Sequence, residues 1–105
     1  MFKKDILIEN NETIVEALKR LDKTAEKVLI VVDSEQMLRG CLTDGDIRRQ
    51  LLKGMSIQDP IEGIYNTSPV YLKKNHYQRD IARTIMVEYK INLIPVVDDQ
   101  MRVID

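Results

Sequence analysis

Val28-Leu29-Ile30-Val31-Val32-Asp33 returns 65 residues later as Leu93-Ile94-Pro95-Val96-Val97-Asp98, and this internal repetition decides the reading of the whole chain. A continuous β-branched run of this length is the pattern of a strand buried on both faces, since neither face then needs polar residues. Upstream of it, Thr13-Ile14-Val15-Glu16 is a capping box, and Ile14, Ala17, Leu18 and Leu21 fall on one face of a helix predicted over 13–21. Downstream, Asp33-Ser34-Glu35-Gln36 supplies a turn and Leu38 to Leu42 reads as the hairpin partner. A second helix is predicted from about Asp46 to Leu52, with Ile47, Leu51 and Leu52 facing inward and Gly54 as its stop.

The stretch that follows holds Asp59-Pro60, Gly63 and Asn66-Thr67-Ser68-Pro69, a turn-rich composition that marks a connection between two units. Val70-Tyr71-Leu72 then reads as a short strand. From Asn75, its cap, a helix is predicted to carry Tyr77, Ile81, Ala82, Ile85, Met86 and Tyr89 along one face. The same offset sets Ala17 over Ala82 and Leu21 over Met86. It also sets the last residue, Asp105, against Gly40, so the second copy is expected to lack a counterpart of Thr43 through Leu52 and to be continued by a catalytic or effector domain. The expected division is a first motif at 1–54, a connection at 55–68 and an incomplete second motif at 69–105.

Composition removes several function classes. At 105 residues the chain has the size of one compact domain or of two half-size units that share a core. Lys+Arg total 16 against Asp+Glu 17, a balance with no overall field to draw in nucleic acid or an anionic membrane surface. The longest apolar run is too short to span a bilayer. At the N-terminus, Ile6-Leu7-Ile8 stops at Glu9-Asn10-Asn11 before a signal-peptide core can form, so a cytoplasmic location is expected. The single cysteine, Cys41, has no partner for an internal disulfide and reads as a small core residue on a strand. His76 sits beside a helix cap as a surface residue, with no acidic residue or serine placed to form a relay, and the four scattered glycines make no triphosphate loop. Catalysis is therefore not expected from this chain, and neither a metal nor a required cofactor is implied.

The stretch richest in chemistry is Gly40-Cys41-Leu42-Thr43-Asp44-Gly45-Asp46-Ile47-Arg48-Arg49, where a buried strand gives way to a glycine turn and a helix start. Backbone N–H groups at such a start favour phosphate, and Arg48 and Arg49 add donors suited to phosphate oxygens. Thr43 and Asp46, three apart, can aim a hydroxyl and a carboxylate at one point, and a carboxylate accepts from both vicinal hydroxyls of a ribose. On residue chemistry alone a plainer reading stands beside this one: Asp44 or Asp46 caps the helix, Thr43 closes a turn and the arginines are solvated charge. Asp44 and Asp46 as metal ligands form a third reading, but the oxygen run and terminal glutamate of a calcium loop are absent.

Gly40-Cys41-Leu42-Thr43-Asp44-Gly45-Asp46 resembles the CBS-domain pattern of a glycine, two apolar residues, Thr or Ser, two variable residues and Asp. Ile94-Pro95-Val96-Val97-Asp98 is similar to the family's second strand. The resemblance, to the repeat named for cystathionine β-synthase, covers the whole chain and implies an α+β CBS pair: two β-α-β-β-α repeats packed through their sheets, the second cut short. It implies ribose contacts for Thr43 and Asp46, phosphate contacts for Arg48 and Arg49, and an adenine-facing wall of backbone and apolar residues near Ile8, Val28 and Leu29, with a matching wall near Val70, Leu93 and Ile94. The implied ligand is AMP, ADP, ATP, S-adenosylmethionine or a cytidine or guanosine sugar nucleotide.

The implied role is a regulatory module, homodimeric as CBS pairs commonly are. In detail the motifs look like the N-terminal CBS pair of bacterial sugar nucleotidyltransferases, and a similar turn occurs in arabinose-5-phosphate isomerases. The alternative is a structural module that dimerises through Tyr77, Ile81, Ile85 and Tyr89 without any small ligand.

Overall fold

The computed structural model describes residues 6–24, 27–69, 71–73 and 94–104. The first repeat runs β1 (Leu7–Glu9), α1 (Ile14–Thr24), β2 (Val28–Val32), β3 (Leu38–Thr43) and α2 (Asp44–Leu52), and β4 (Leu72–Lys73) and β5 (Val96–Val97) belong to the second. β2 lies between a parallel β1 and an antiparallel β3, with Ile8 opposite Val31, Leu29 opposite Leu42 and Val28 opposite Thr43. β4 and β5 form the same parallel pairing. The helix predicted from Asn75, with His76 and its apolar face, lies outside the described residues, as do Val70 and Leu93.

The apolar run of β2 is explained by two cores, one on each face of its sheet. Ile8, Leu29, Val31 and Leu42 pack with Ile14, Ala17 and Leu21 of α1 and Ile47 of α2. Ile6, Ile30 and Val32 turn the other way and pack with Val97 and Val103 of the second repeat. The repeats therefore meet through their sheets, and alternate residues of one strand serve both cores.

The helix ends depart from the sequence prediction in instructive ways. At α1 the capping box forms by half: the Glu16 N–H donates to Thr13 Oγ1 at 3.3 Å, but the Glu16 carboxylate goes to Arg20 Nε at 3.2 Å. α2 begins two residues earlier than predicted because Thr43, rather than either aspartate, is its N-cap. It ends as predicted at Gly54, whose φ of 103° lets the Gly54 N–H reach Leu51 O at 3.1 Å and the Met55 N–H reach Gln50 O at 3.2 Å. Leu52, predicted to face inward, is 81% exposed: Ile47 and Leu51 are one turn apart on the packed face, and Leu52 lies about 100° further round.

The duplication extends to hydrogen-bond detail. Asp33 Oδ1 accepts the Glu35 and Met37 N–H groups at 2.9 and 3.0 Å, and Asp98 Oδ1 accepts those of Gln100 and Arg102 at 2.8 and 2.9 Å. Gln36 and Met101, at the same place in the two turns, have φ of 65° and 68°. The turns are joined to each other, Leu38 N–H to Met101 O at 2.7 Å and Val103 N–H to Gln36 O at 2.9 Å.

The turn-rich stretch after α2 is bonded to the first repeat along its length. Asp59 O and Ile57 O accept the Ile14 and Val15 N–H groups at 2.9 and 2.8 Å, which satisfies donors that every helix start leaves over. Asn66 pairs with Cys41 in both directions, at 3.0 and 2.8 Å. This contact needs Gly40. A Cβ there would stand 2.1 Å from Asn66 O and 2.7 Å from the Tyr65 ring. Gly40→Ala is therefore expected to lower stability by about 1–3 kcal/mol, the usual range for overpacking, read as the midpoint of urea unfolding. An unchanged midpoint would mean that this stretch does not close on β3.

Candidate functional site

The sequence motif 40–49 folds into the junction of β3 and α2, and strand alternation decides which way each side chain looks. Leu42 is fully buried toward the helices, so Cys41 and Thr43 on either side of it project toward the second repeat. Cys41 stands opposite Ile30 and Thr43 opposite Val28, on the face whose Ile30 and Val32 contact the second repeat. Of the three apolar residues expected near a base, only Val28 shares this face, and it is half-buried. Ile8 and Leu29 do not: they are 1% and 0% exposed in the helix-side core, because β1 and β2 aim those positions at α1.

Thr43 and Asp46 are brought together, each closing on the other's backbone. The Asp46 N–H donates to Thr43 Oγ1 at 3.0 Å and the Thr43 N–H donates to Asp46 Oδ2 at 3.0 Å, a reciprocal capping box with aspartate in the usual place of glutamate. Both readings of these residues thus apply to the same atoms. Thr43 keeps its hydroxyl proton for donation, and the Asp46 carboxylate keeps lone pairs. Asp46 Oδ1 meets Arg49 Nη2 at 2.5 Å, and Arg48 Nη1 meets Asp44 Oδ2 at 3.2 Å. Both arginines are two-thirds exposed, so these pairs hold the guanidinium groups near the helix start without adding much stability.

Gly45 sits under both guanidinium groups. A Cβ at this position would be 3.4 Å from Arg49 Nη1, 3.8 Å from Arg48 Nη2 and 3.8 Å from Thr43 Oγ1. At the helix start the Asp44 N–H donates to Lys27 O at 3.3 Å and the Asp46 N–H to Thr43, which leaves the Gly45 N–H with no acceptor among the described residues. The positive end of the helix dipole lies at the same point.

The other end of β3 borders a cavity of about 300 Å³ at the junction of the repeats, formed by Leu38 and Arg39, residues 67–69, Tyr71 and Met101. Cys41 lies between this cavity and the cap. The sequence reading passes over the cavity: it places Thr67 and Ser68 in a connection, and only the pairing of Asn66 with Cys41 carries them alongside β3. Among the described residues no cluster of His, Cys, Asp and Glu is arranged to hold a metal ion, and Asp44 and Asp46 are each paired with an arginine.

Burial raises the Cys41 thiol from its ordinary value of 9.0 to about 11, and the negative charge of Asp46 adds to the rise. The folded protein thus holds this proton more tightly than the unfolded chain. The associated stability is full below pH 9 and is lost as pH rises toward 11. Alkylation of native Cys41 by iodoacetamide is expected to be slow at pH 8 and to climb toward pH 11, whereas in urea it climbs around pH 9. Asp46→Asn should move the native profile to lower pH, and an unmoved profile would place the carboxylate away from the thiol.

The family model described as CBS domain matches residues 1–53 and 61–104. Arabinose 5-phosphate isomerase GutQ from Shigella flexneri is 30% identical over 87 residues, 83% of this chain and 27% of that protein. The chain thus spans about a quarter of the length of the curated relatives it matches. Among solved structures, the CBS domain pair of protein MJ0100, in complex with 5-methylthioadenosine and S-adenosyl-L-methionine, is 31% identical with a TM-score of 0.78 and matches 98% of this chain and 80% of that one. CBS domain protein PAE2072 from Pyrobaculum aerophilum, complexed with AMP, is 17% identical with a TM-score of 0.80, covering 99% of this chain and 79% of that one.

Proposed function

Because the chain belongs to the CBS domain family, we propose that it is a regulatory module whose β3–α2 junction binds an adenosine-type or related nucleotide and whose occupancy biases an attached enzyme. The observation that carries this reading is the Thr43–Asp46 box, which presents a hydroxyl donor and carboxylate acceptors on the inter-repeat face beside two held guanidinium groups. The ribose goes to Thr43 and Asp46. The phosphate goes to the Gly45 N–H, Arg48 and Arg49. The base goes along β3 past Val28 and Cys41 toward the cavity at Arg39 and Thr67, roughly 13 Å of extended strand from Thr43. That span suits a mononucleotide. The AMP of PAE2072 and the adenosine-derived ligands of MJ0100 support a ligand of this class.

Binding regulates only if ligand prefers one arrangement of the two repeats over another. The site between their sheets supports that coupling. Of the two parents expected from sequence, a sugar nucleotidyltransferase and an arabinose-5-phosphate isomerase, the GutQ relatives support the isomerase. The motif division at 1–54 and 69–105 and a cytoplasmic location belong to the same proposal. No described helix is long and apolar enough to cross a membrane.

Self-association accompanies this reading, and Leu52 and Ile57, 81% and 42% exposed, favour it by leaving apolar surface beside the end of α2. A homodimer formed there would lose affinity in Leu52→Glu, measured by sedimentation. A purely structural dimerisation module would do this and ignore nucleotides.

The decisive test is a thermal-shift titration against AMP, ATP, CMP and S-adenosylmethionine. Its control must respect the cap, since Thr43→Ala removes about 1 kcal/mol of stability even without ligand. The quantity to compare is the ligand-dependent increment. A ligand at about 100 times its Kd should stabilise the native chain by roughly 2.7 kcal/mol, or several degrees. Thr43→Ser should keep that increment and Thr43→Ala should abolish it. If no nucleotide moves the native midpoint, the structural reading replaces the sensor.

A further inference from the structure

We propose that the groove between the two abutting hairpin turns is a second ligand site, and that it takes a free α-amino acid in its zwitterionic form. The turns lie at the end of β3 opposite to Thr43, so this site stands apart from any nucleotide bound at the cap. Each turn closes in the same way, with the Gln36 N–H on Asp33 O and the Met101 N–H on Asp98 O, both at 3.0 Å. The backbone bonds that join the turns bring Met37 and Arg102 side by side, so positions 65 apart in sequence border one space. Glu35 with its counterpart Gln100, and Met37 with its counterpart Arg102, line an open cavity of about 500 Å³.

The two turns are alike in backbone and unlike in charge. The first brings the Glu35 carboxylate, which makes no ion pair among the described residues. The second brings the Arg102 guanidinium, 53% exposed, which approaches Asp98 only at 4.0 Å and donates through Nη2 to the Gln100 side-chain oxygen. That bond leaves the Gln100 NH2 group free to donate elsewhere. Glu35 and Arg102 line the same cavity without pairing, so one negative and one positive group stand apart across it. An α-amino acid carries the complementary charges a short, fixed distance apart. Its carboxylate accepts from Arg102 and the Gln100 amide, its ammonium donates to Glu35, and its side chain lies against the Met37 thioether, which adapts to many shapes. A simple anion or cation engages only one half of this pair. Because the halves come from different repeats, the bound amino acid ties one turn to the other.

The test is an amide NMR titration of the purified chain, without nucleotide, using L-valine, N-acetyl-L-valine and L-valinamide. Exposed ion pairs contribute little each, so L-valine is expected to saturate at about 1–10 mM, with its shifts confined to 33–37 and 98–102. N-acetyl-L-valine lacks the ammonium and L-valinamide lacks the carboxylate, and each should bind about three- to tenfold more weakly. Glu35→Gln and Arg102→Gln should each weaken L-valine by a similar factor. Both side chains are exposed, and spectra unchanged away from the turns would show the fold intact. The pairing gives the signature: Glu35→Gln should leave N-acetyl-L-valine unaffected and Arg102→Gln should leave L-valinamide unaffected, whereas a general loosening of the turns would weaken all three. No saturable shift with L-valine up to about 100 mM, equal binding of the three compounds, or equal losses for all three in either variant would overturn the amino-acid site. Each of these results leaves nucleotide binding at the cap untouched, and absence of nucleotide binding leaves this site standing.

Discussion

β2 has no solvent face, and the rest of the structure follows from that constraint. Leu29 and Val31 anchor the helices while Ile30 and Val32 anchor the second repeat, so the two cores share one backbone and neither can shift register alone. A slip of one residue would exchange the two sets and force each into the core shaped for the other. Because β3 is hydrogen-bonded to this fixed strand, the direction of every side chain from Leu38 to Thr43 is fixed as well. The candidate site is thus positioned by a strand that contributes only Val28 to it.

The same economy governs the start of α2. Thr43 and Asp46 close the helix and also present the groups a ribose would meet, so structure and recognition draw on the same atoms. Substitutions at these positions change two properties at once. Only a replacement that preserves the cap, such as serine for threonine, separates them. The guanidinium groups beside the cap are under no such double demand, since Arg48 and Arg49 touch the fold only through their exposed ion pairs.

How far the sequence could be read depends on the range of the interaction involved. The β-branched run at Val28–Val32, the glycine stop at Gly54 and the turn from Asp33 to Gln36 are local patterns, and the structure has them where the pattern puts them. Thr43 as N-cap was also available locally, since Thr-x-x-Asp is a short form of the capping box, but two neighbouring aspartates make equally good caps on residue preference. The placing of the Ile8 and Leu29 side chains on the helix side follows from a period of two once the register of β2 against β3 is known, and that register is a property of the pair. Least legible is the stretch from 55 to 66. Its bonds to α1 and β3 run between backbone groups, which leave no mark on residue type except Gly40, whose place inside a strand is costly without a close neighbour.

The attachment of residues 57–66 to α1 and β3 has a mechanical consequence. It ties this stretch to the first repeat, so any relative motion of the repeats would hinge beyond Asn66 and at the abutting turns. At those turns the described crossing bonds are few: Leu38 to Met101, Val103 to Gln36, and the Gln36 amide to Val103. A rocking of one sheet over the other would therefore pivot on Gln36 and Met101, with its amplitude greatest at the ends of the strands farthest from them. β3 ends there at Thr43, so a ligand seated at the cap would act on the second repeat with the longest lever the first repeat offers.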